Sequence, residues 1–185
     1  HLLTKSISSI MRSDTDSSNS PTLVVGVGVS SGNQSTLTRF CQSMPQNSRL
    51  AVIICLYEDQ PHKNLVTSLL ELDCTNSIRL AEDGMAIEGN SIYLIPPGLT
   101  LRIVQHQFKL GRSKDGRGQR MAIDQVLREI GEAYGTQAVG VLLAGPGSDG
   151  TVGLRALKAA GGLTLVQDPK TADQGAMLRN AINAG

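Results

Sequence analysis

Four short runs dominate what this chain can fold into: TLVVGVG (22–28), LAVIICL (50–56), QAVGVLLAG (137–145) and LTLVQ (163–167). They are continuously apolar, as strands buried on both faces of a sheet are. Each is followed by a stretch with helical character. STLTRFCQSM places Leu37, Phe40, Cys41 and Met44 at helical spacing. PHKNLVTSLLEL (61–72) begins with a proline suited to a first turn. MAIDQVLREIGEAYG aligns Ile123, Val126, Leu127 and Ile130 in one stripe, and DGTVGLRALKAAGG closes on Gly161 and Gly162. DQGAMLRNAINA reads as a last short helix. Strands that alternate with helices predict an α/β domain with a mainly parallel sheet. Between them, residues 77–110 form short β-like runs broken by turn residues, which predicts one or two hairpins or edge strands.

Composition agrees with one such domain. The chain has 185 residues, 40% of them apolar, with only two Phe, three Tyr and no Trp. A core of Val, Leu, Ile and Ala suits a parallel sheet. Residues 22–185 are read as one domain, preceded by a polar tail or linker over 1–21. Seventeen Lys and Arg balance sixteen Asp and Glu, so no overall field draws nucleic acid or an anionic membrane. The densest basic stretch, KLGRSKDGRGQR (109–120), lacks aromatics and reads as a solvated loop, with an anion or partner contact as the alternative. No apolar run is long enough to span a bilayer, and no secretory signal is recognisable. Cys41, Cys55 and Cys74 form no CxxC pair, which argues for reduced thiols in a cytoplasmic protein and against a metal site. Cys41 and Cys55 fall within apolar patterns and are expected in the core.

In parallel sheets the working loops follow the carboxyl ends of the strands. After the first strand, Gly26 and Gly28 begin a dinucleotide fingerprint, but Ser31 stands at the third glycine and no acidic residue follows at the required distance. A nucleotide-binding domain is therefore a remote alternative. Gly28-Val29-Ser30-Ser31-Gly32 instead matches G-x-S-x-G, a cramped turn that exposes a serine to the N–H groups of the next helix. The same pattern also suits a strand–helix turn without chemistry. Asp149, in GPGSDG (145–150), is the candidate acid, or else a plain cap for the helix that follows it. For a base, His62 lies at a helix start and His106 in the hairpin region, each more simply read as an exposed residue. Tyr57 occupies the strand end best placed to face Ser30.

VVGVGVSSG (24–32), HKNL (62–65), AEDGMAIEGNSIYLIPPG (81–98) and GPGSDGTVGLRALKAAGGLTLVQDP (145–169) together resemble the catalytic domain of the chemotaxis protein-glutamate methylesterases, the CheB type. The resemblance runs from about residue 22 to the end and implies a doubly wound sheet with helices on both faces. It implies hydrolysis of glutamate γ-methyl esters on methyl-accepting chemoreceptors, without a cofactor. A receiver domain in the full-length protein and a further strand and helix beyond Gly185 are also implied. By resemblance Ser30 is the nucleophile and Asp149 the acid, with Ser31, Gly32, Pro146 and Gly147 around the oxyanion.

Two departures from the family pattern sit in the active site itself. Tyr57 stands where the family has its catalytic histidine, beside Leu56 in place of a glutamine. Pro146 stands where the family has Met or Thr, whose backbone N–H serves the oxyanion. Asn33, in place of a glycine, is a milder change. A phenol is ionised to about one part in a thousand at pH 7 and is a poor base. Proline has no N–H to donate. The expectation is a degenerate or weakly active esterase, with His62 as a substitute base. The alternative is a catalytically silent module that binds a receptor or similar helical signalling protein.

Overall fold

The computed structural model describes residues 19–30, 32–45, 48–57, 63–72, 76–112 and 122–185. The four apolar runs become β1 (Leu23–Ser30), β2 (Leu50–Tyr57), β7 (Ala138–Leu142) and β8 (Leu163–Val166). Residues 77–110 divide in two. Ser77–Leu80 and Ser91–Leu94 form β3 and β4 and join the main sheet in parallel, while β5 (Leu99–Val104) and β6 (Gln107–Arg112) form one antiparallel hairpin. The main sheet runs β3-β4-β2-β1-β7-β8, with every pair parallel. The order reverses between β1 and β7, so the crevice beyond their carboxyl ends is the switch point where such sheets place their ligands.

The helices are α1 (Gln34–Gln42), α2 (Lys63–Leu70), α3 (Ala122–Tyr134), α4 (Thr151–Ala159) and α5 (Ala176–Asn183). Side chains alternate across a strand, and β1 and β2 divide the core accordingly. Val25, Val27 and Val29 join Val52, Ile54 and Leu56 beneath Leu37 and Cys41 of α1 and Leu69 of α2. Val24, Ala51, Ile53 and Cys55 face the other way, against Ile123, Leu127 and Ile130 of α3, Leu154 and Leu157 of α4, and Met177 of α5. Cys41 and Cys55 are both buried, as their apolar surroundings in the sequence predict. Cys74 lies outside the described residues.

Gly26 and Gly28 belong to this second face. A β-carbon on Gly26 would come 2.7 Å from Ile130 Cδ1, and one on Gly28 2.3 Å from Ile123 Cγ2. These glycines lie within β1 and let α3 rest on bare backbone, which accounts for them without a phosphate. The helices also meet backbone to backbone. A β-carbon on Gly153 would fall 2.7 Å from both Cα and O of Asp124, and one on Gly131 2.8 Å from Leu157 Cα. Backbone cannot swing aside as a side-chain tip can. Gly153→Ala is therefore expected to destabilise the fold by about 1–3 kcal/mol, read from the urea midpoint. An unchanged midpoint would contradict this crossing.

The hairpin is fastened to α3 by side chains. Gln125 and Glu129 accept the Leu101 and Ile103 N–H groups, so the free edge of β5 is covered.

Candidate active site

Ser30 ends β1 and is 2% exposed. Its N–H donates to Ala144 O at 3.1 Å, and its own carbonyl accepts the Asn33 N–H at 3.0 Å, which closes the turn into α1. The Ser30 hydroxyl accepts a long bond, 3.4 Å, from the Gly32 N–H. Asn33 Nδ2 donates to the same Ala144 carbonyl at 3.2 Å, so one acceptor ties the serine turn to the loop after β7. Ala144 N–H in turn donates to Gln167 Oε1 at 3.0 Å.

That loop passes directly behind the serine. A β-carbon on Gly145 would sit 3.1 Å from Ser30 Cβ and 2.4 Å from Met177 Cε. Both backbone groups of Gly145 are engaged, N–H to Gln174 O and O from Met177 N–H. Pro146 has no N–H. Gly147 adopts φ +79°, a glycine-favouring conformation, and its carbonyl accepts Asn180 Nδ2 at 2.8 Å. Among the described residues no acceptor takes the Gly147 N–H.

Tyr57 ends β2 and pairs in register with Ser30. Register partners on neighbouring parallel strands point to the same face, here the face under α3. Tyr57 is half-buried and packs against that half of the core. Among the described residues no hydrogen bond joins it to Ser30 or Asp149.

Asp149 approaches from the loop that precedes α4 and is 6% exposed. Its carboxylate accepts three backbone N–H groups: Ile123 at 3.1 Å, Asp124 at 2.9 Å and Gly150 at 2.9 Å. The first two are among the helix-start donors that lack an intrahelical partner. Asp149 therefore caps α3. The alternative reading, a cap for its own helix, is corrected: Gly150 is the N-cap of α4, with φ +91° and no side-chain bond. Burial pushes the Asp149 carboxyl up to about 6, against the downward pull of its three N–H bonds, and the charge of Asp124 raises it further. Burial also drives the Cys55 thiol far up, with the Asp149 charge adding to the effect. Cys55 lies two residues before Tyr57 on the same face of β2.

A sequence profile of the CheB methylesterase family matches residues 25–185. The chain belongs to the CheB methylesterase family. A provisionally named protein-glutamate methylesterase/protein-glutamine glutaminase of Leptospira interrogans is 30% identical over 159 residues, 85% of this chain and 82% of its own length. A Bordetella parapertussis protein-glutamate methylesterase/protein-glutamine glutaminase is 30% identical over 88% of this chain, which spans 47% of that protein. The crystal structure of the Thermotoga maritima CheB methylesterase catalytic domain superposes with a TM-score of 0.77 at 26% identity, covering 87% of each chain. The doubly wound α/β fold expected from the sequence is the fold observed.

Within this CheB-type domain, Ser30, Tyr57 and Asp149 all lie at the carboxyl end of the sheet, on the face under α3. Gly32, Pro146 and Gly147 lie in the two loops beside the serine. Ser31 and His62 lie outside the described residues. His106 is exposed in the β5–β6 turn, where its Nδ1 lies 3.4 Å from Tyr134 Oη. Tyr134 ends the 13-residue α3, so His106 sits about 20 Å from the helix start that Asp149 caps. Sequence reasoning missed Asp124, Gln167 and Asn180. Their work is to accept or donate bonds to the backbone of loops and of a helix start, and no local pattern announces that. Among the described residues, no group of three or more His, Cys, Asp and Glu could hold a metal ion. None of their helices is long and apolar enough to cross a membrane.

The Asp149 environment has a measurable consequence. A carboxyl held above its ordinary 3.8 binds its proton more tightly in the folded state than in the unfolded one. Its stabilising contribution is complete below about pH 4 and is lost as pH rises through about 6. Relative to Asp149→Asn, the parent is expected to lose up to about 3 kcal/mol of stability across that window. Denaturant titrations of both proteins measure it, and parallel profiles would contradict it.

Proposed function

We propose that this domain is a degenerate protein-glutamate methylesterase that acts on a helical, methyl-accepting signalling protein in the cytoplasm. The observation that carries the reading is the in-register pairing of Ser30 and Tyr57 at the switch point of the sheet. The expected serine has its elbow, and a phenol stands where an imidazole is needed.

In the reaction, Ser30 Oγ attacks the γ-ester carbonyl and its proton passes to a base. The tetrahedral oxyanion takes the N–H groups of Gly32 and Gly147. Methoxide leaves with a proton as methanol, and water then hydrolyses the acyl-serine to free glutamate. Asp149 supplies the negative charge that would orient and stabilise a protonated base. Loss of the base of a serine triad costs on the order of a millionfold in turnover and leaves roughly a thousandfold over water. His62 is the substitute base this reading allows.

A second reading, a silent module that keeps a partner-binding surface, is favoured by one observation. The Ser30 hydroxyl accepts the Gly32 N–H, and among the described residues no base takes its proton. Methanol release from a γ-methylated receptor fragment separates the two. Turnover by the parent that vanishes in Ser30→Ala supports the esterase. Equal background rates with the fragment still bound support the module.

A further inference from the structure

The N-terminal ends of α3 and α4 are joined by an exchange of carboxylates. Asp149, just before α4, accepts the Ile123 and Asp124 N–H groups of α3. Asp124, in the first turn of α3, reaches back and accepts the Gly153 N–H of α4 at 2.7 Å. Each helix is thus capped by an acid from the other. The exchange answers a local deficiency. The N-cap of α4 is Gly150, which has no side chain to offer, and Asp149 is turned toward α3. Without Asp124 the buried Gly153 N–H would have no partner, because helix-start donors lack carbonyls one turn back. Gly153 also has to be glycine for the two backbones to come this close.

From this geometry we infer that Asp124 is the positioning residue for Asp149: it locks the start of α4 and so fixes the 145–150 loop against Ser30. The inference rests on the proposed reading only in taking Asp149 as the acid of the site. Asp124 is 6% exposed, and among the described residues neither carboxylate has an ion pair. Cys55 on β2 feels the Asp149 charge and Asp149 that of Asp124, while the first turn of α4, residues 151–154, carries no titratable side chain. The arrangement therefore holds two like charges close together, compensated by backbone N–H groups and helix dipoles.

The test compares Asp124→Asn with Asp124→Ala, each alone and on a Tyr57→His background. The first readout is the NMR titration of the Asp149 carboxyl carbon together with hydrogen exchange at the Gly153 amide. Asp124→Asn keeps an oxygen for Gly153 but removes the charge. The Asp149 midpoint should fall while the Gly153 amide stays protected. Asp124→Ala should speed exchange at Gly153 by about tenfold or more. The second readout is turnover on the Tyr57→His background, where Asp124→Ala should lower kcat by on the order of ten- to a hundredfold with little change in KM, and Asp124→Asn should retain most of it. An unchanged Asp149 midpoint in Asp124→Asn, with unchanged Gly153 exchange in Asp124→Ala, overturns the inference. If Asp124→Ala does not fold, the Asp124→Asn titration decides alone. If the Tyr57→His enzyme is inactive, the proposed function fails, while the NMR readouts still decide the role of Asp124.

Discussion

Tyr57→His is expected to raise methanol release from a γ-methylated receptor fragment by on the order of a hundred- to ten-thousandfold, a part of the roughly millionfold that loss of a triad base costs, because Pro146 still withholds an oxyanion donor. The reasoning is geometric first. Position 57 is the register partner of Ser30, on the same face, at the mouth of the crevice. An imidazole there lies on the strand end beside Ser30, with Asp149 at the same end of the sheet to stabilise its protonated form. The chemistry follows from ionisation: a phenol is ionised to about one part in a thousand at neutral pH, and an imidazole titrates close to it. Ser30→Ala placed on the same background should abolish the gain. A folded Tyr57→His protein with no gain would mean that position 57 was not the defect.

Restoring an N–H at position 146 is expected to add roughly a hundredfold to turnover on the Tyr57→His background, through Pro146→Met. The loop explains why the effect should be large. The Gly145 N–H is already committed to Gln174 O, and position 146 offers no donor, so beyond Gly145 the first donor to be had is at Gly147. An oxyanion donor acts on charge that develops in the transition state, so the gain should appear in kcat with KM nearly constant. Loss of the proline ring costs the fold under about 1 kcal/mol, too little to mask the result. A change confined to KM would place residue 146 in substrate binding and not at the oxyanion.

The strands that set the site were legible because burial on both faces leaves an unbroken apolar run. LVVGVGVS and LAVIICLY could hardly be anything else. Ser77–Leu80 and Ser91–Leu94 were harder. Four residues each, amid turn residues, they carry no sign of whether they pair with each other, with a hairpin partner or with a distant strand. Parallel pairing of β4 with β2 is a long-range fact. Ser30 and Asp149 were visible because each sits in a glycine-rich turn that follows an apolar run. The direction of the Asp149 cap was not. The sequence places Asp149 next to α4, and a local rule assigns it there, whereas α3 wins because its first-turn N–H groups converge on the same carboxylate. Asp124 is invisible for the same reason: in one dimension it is an acid in a helix's first turn, an ordinary placement.

The central claim is that Ser30 sits in a working elbow and lacks only its activating partners. Labelling with an organic fluorophosphonate, followed by mass spectrometry of the peptide that carries Ser30, measures serine nucleophilicity directly and needs no knowledge of the natural substrate. The account predicts slow labelling of the parent at Ser30 and labelling of Tyr57→His at the same residue, faster by on the order of a hundredfold or more. Equal rates in the two proteins, or a label on any other residue, would contradict it.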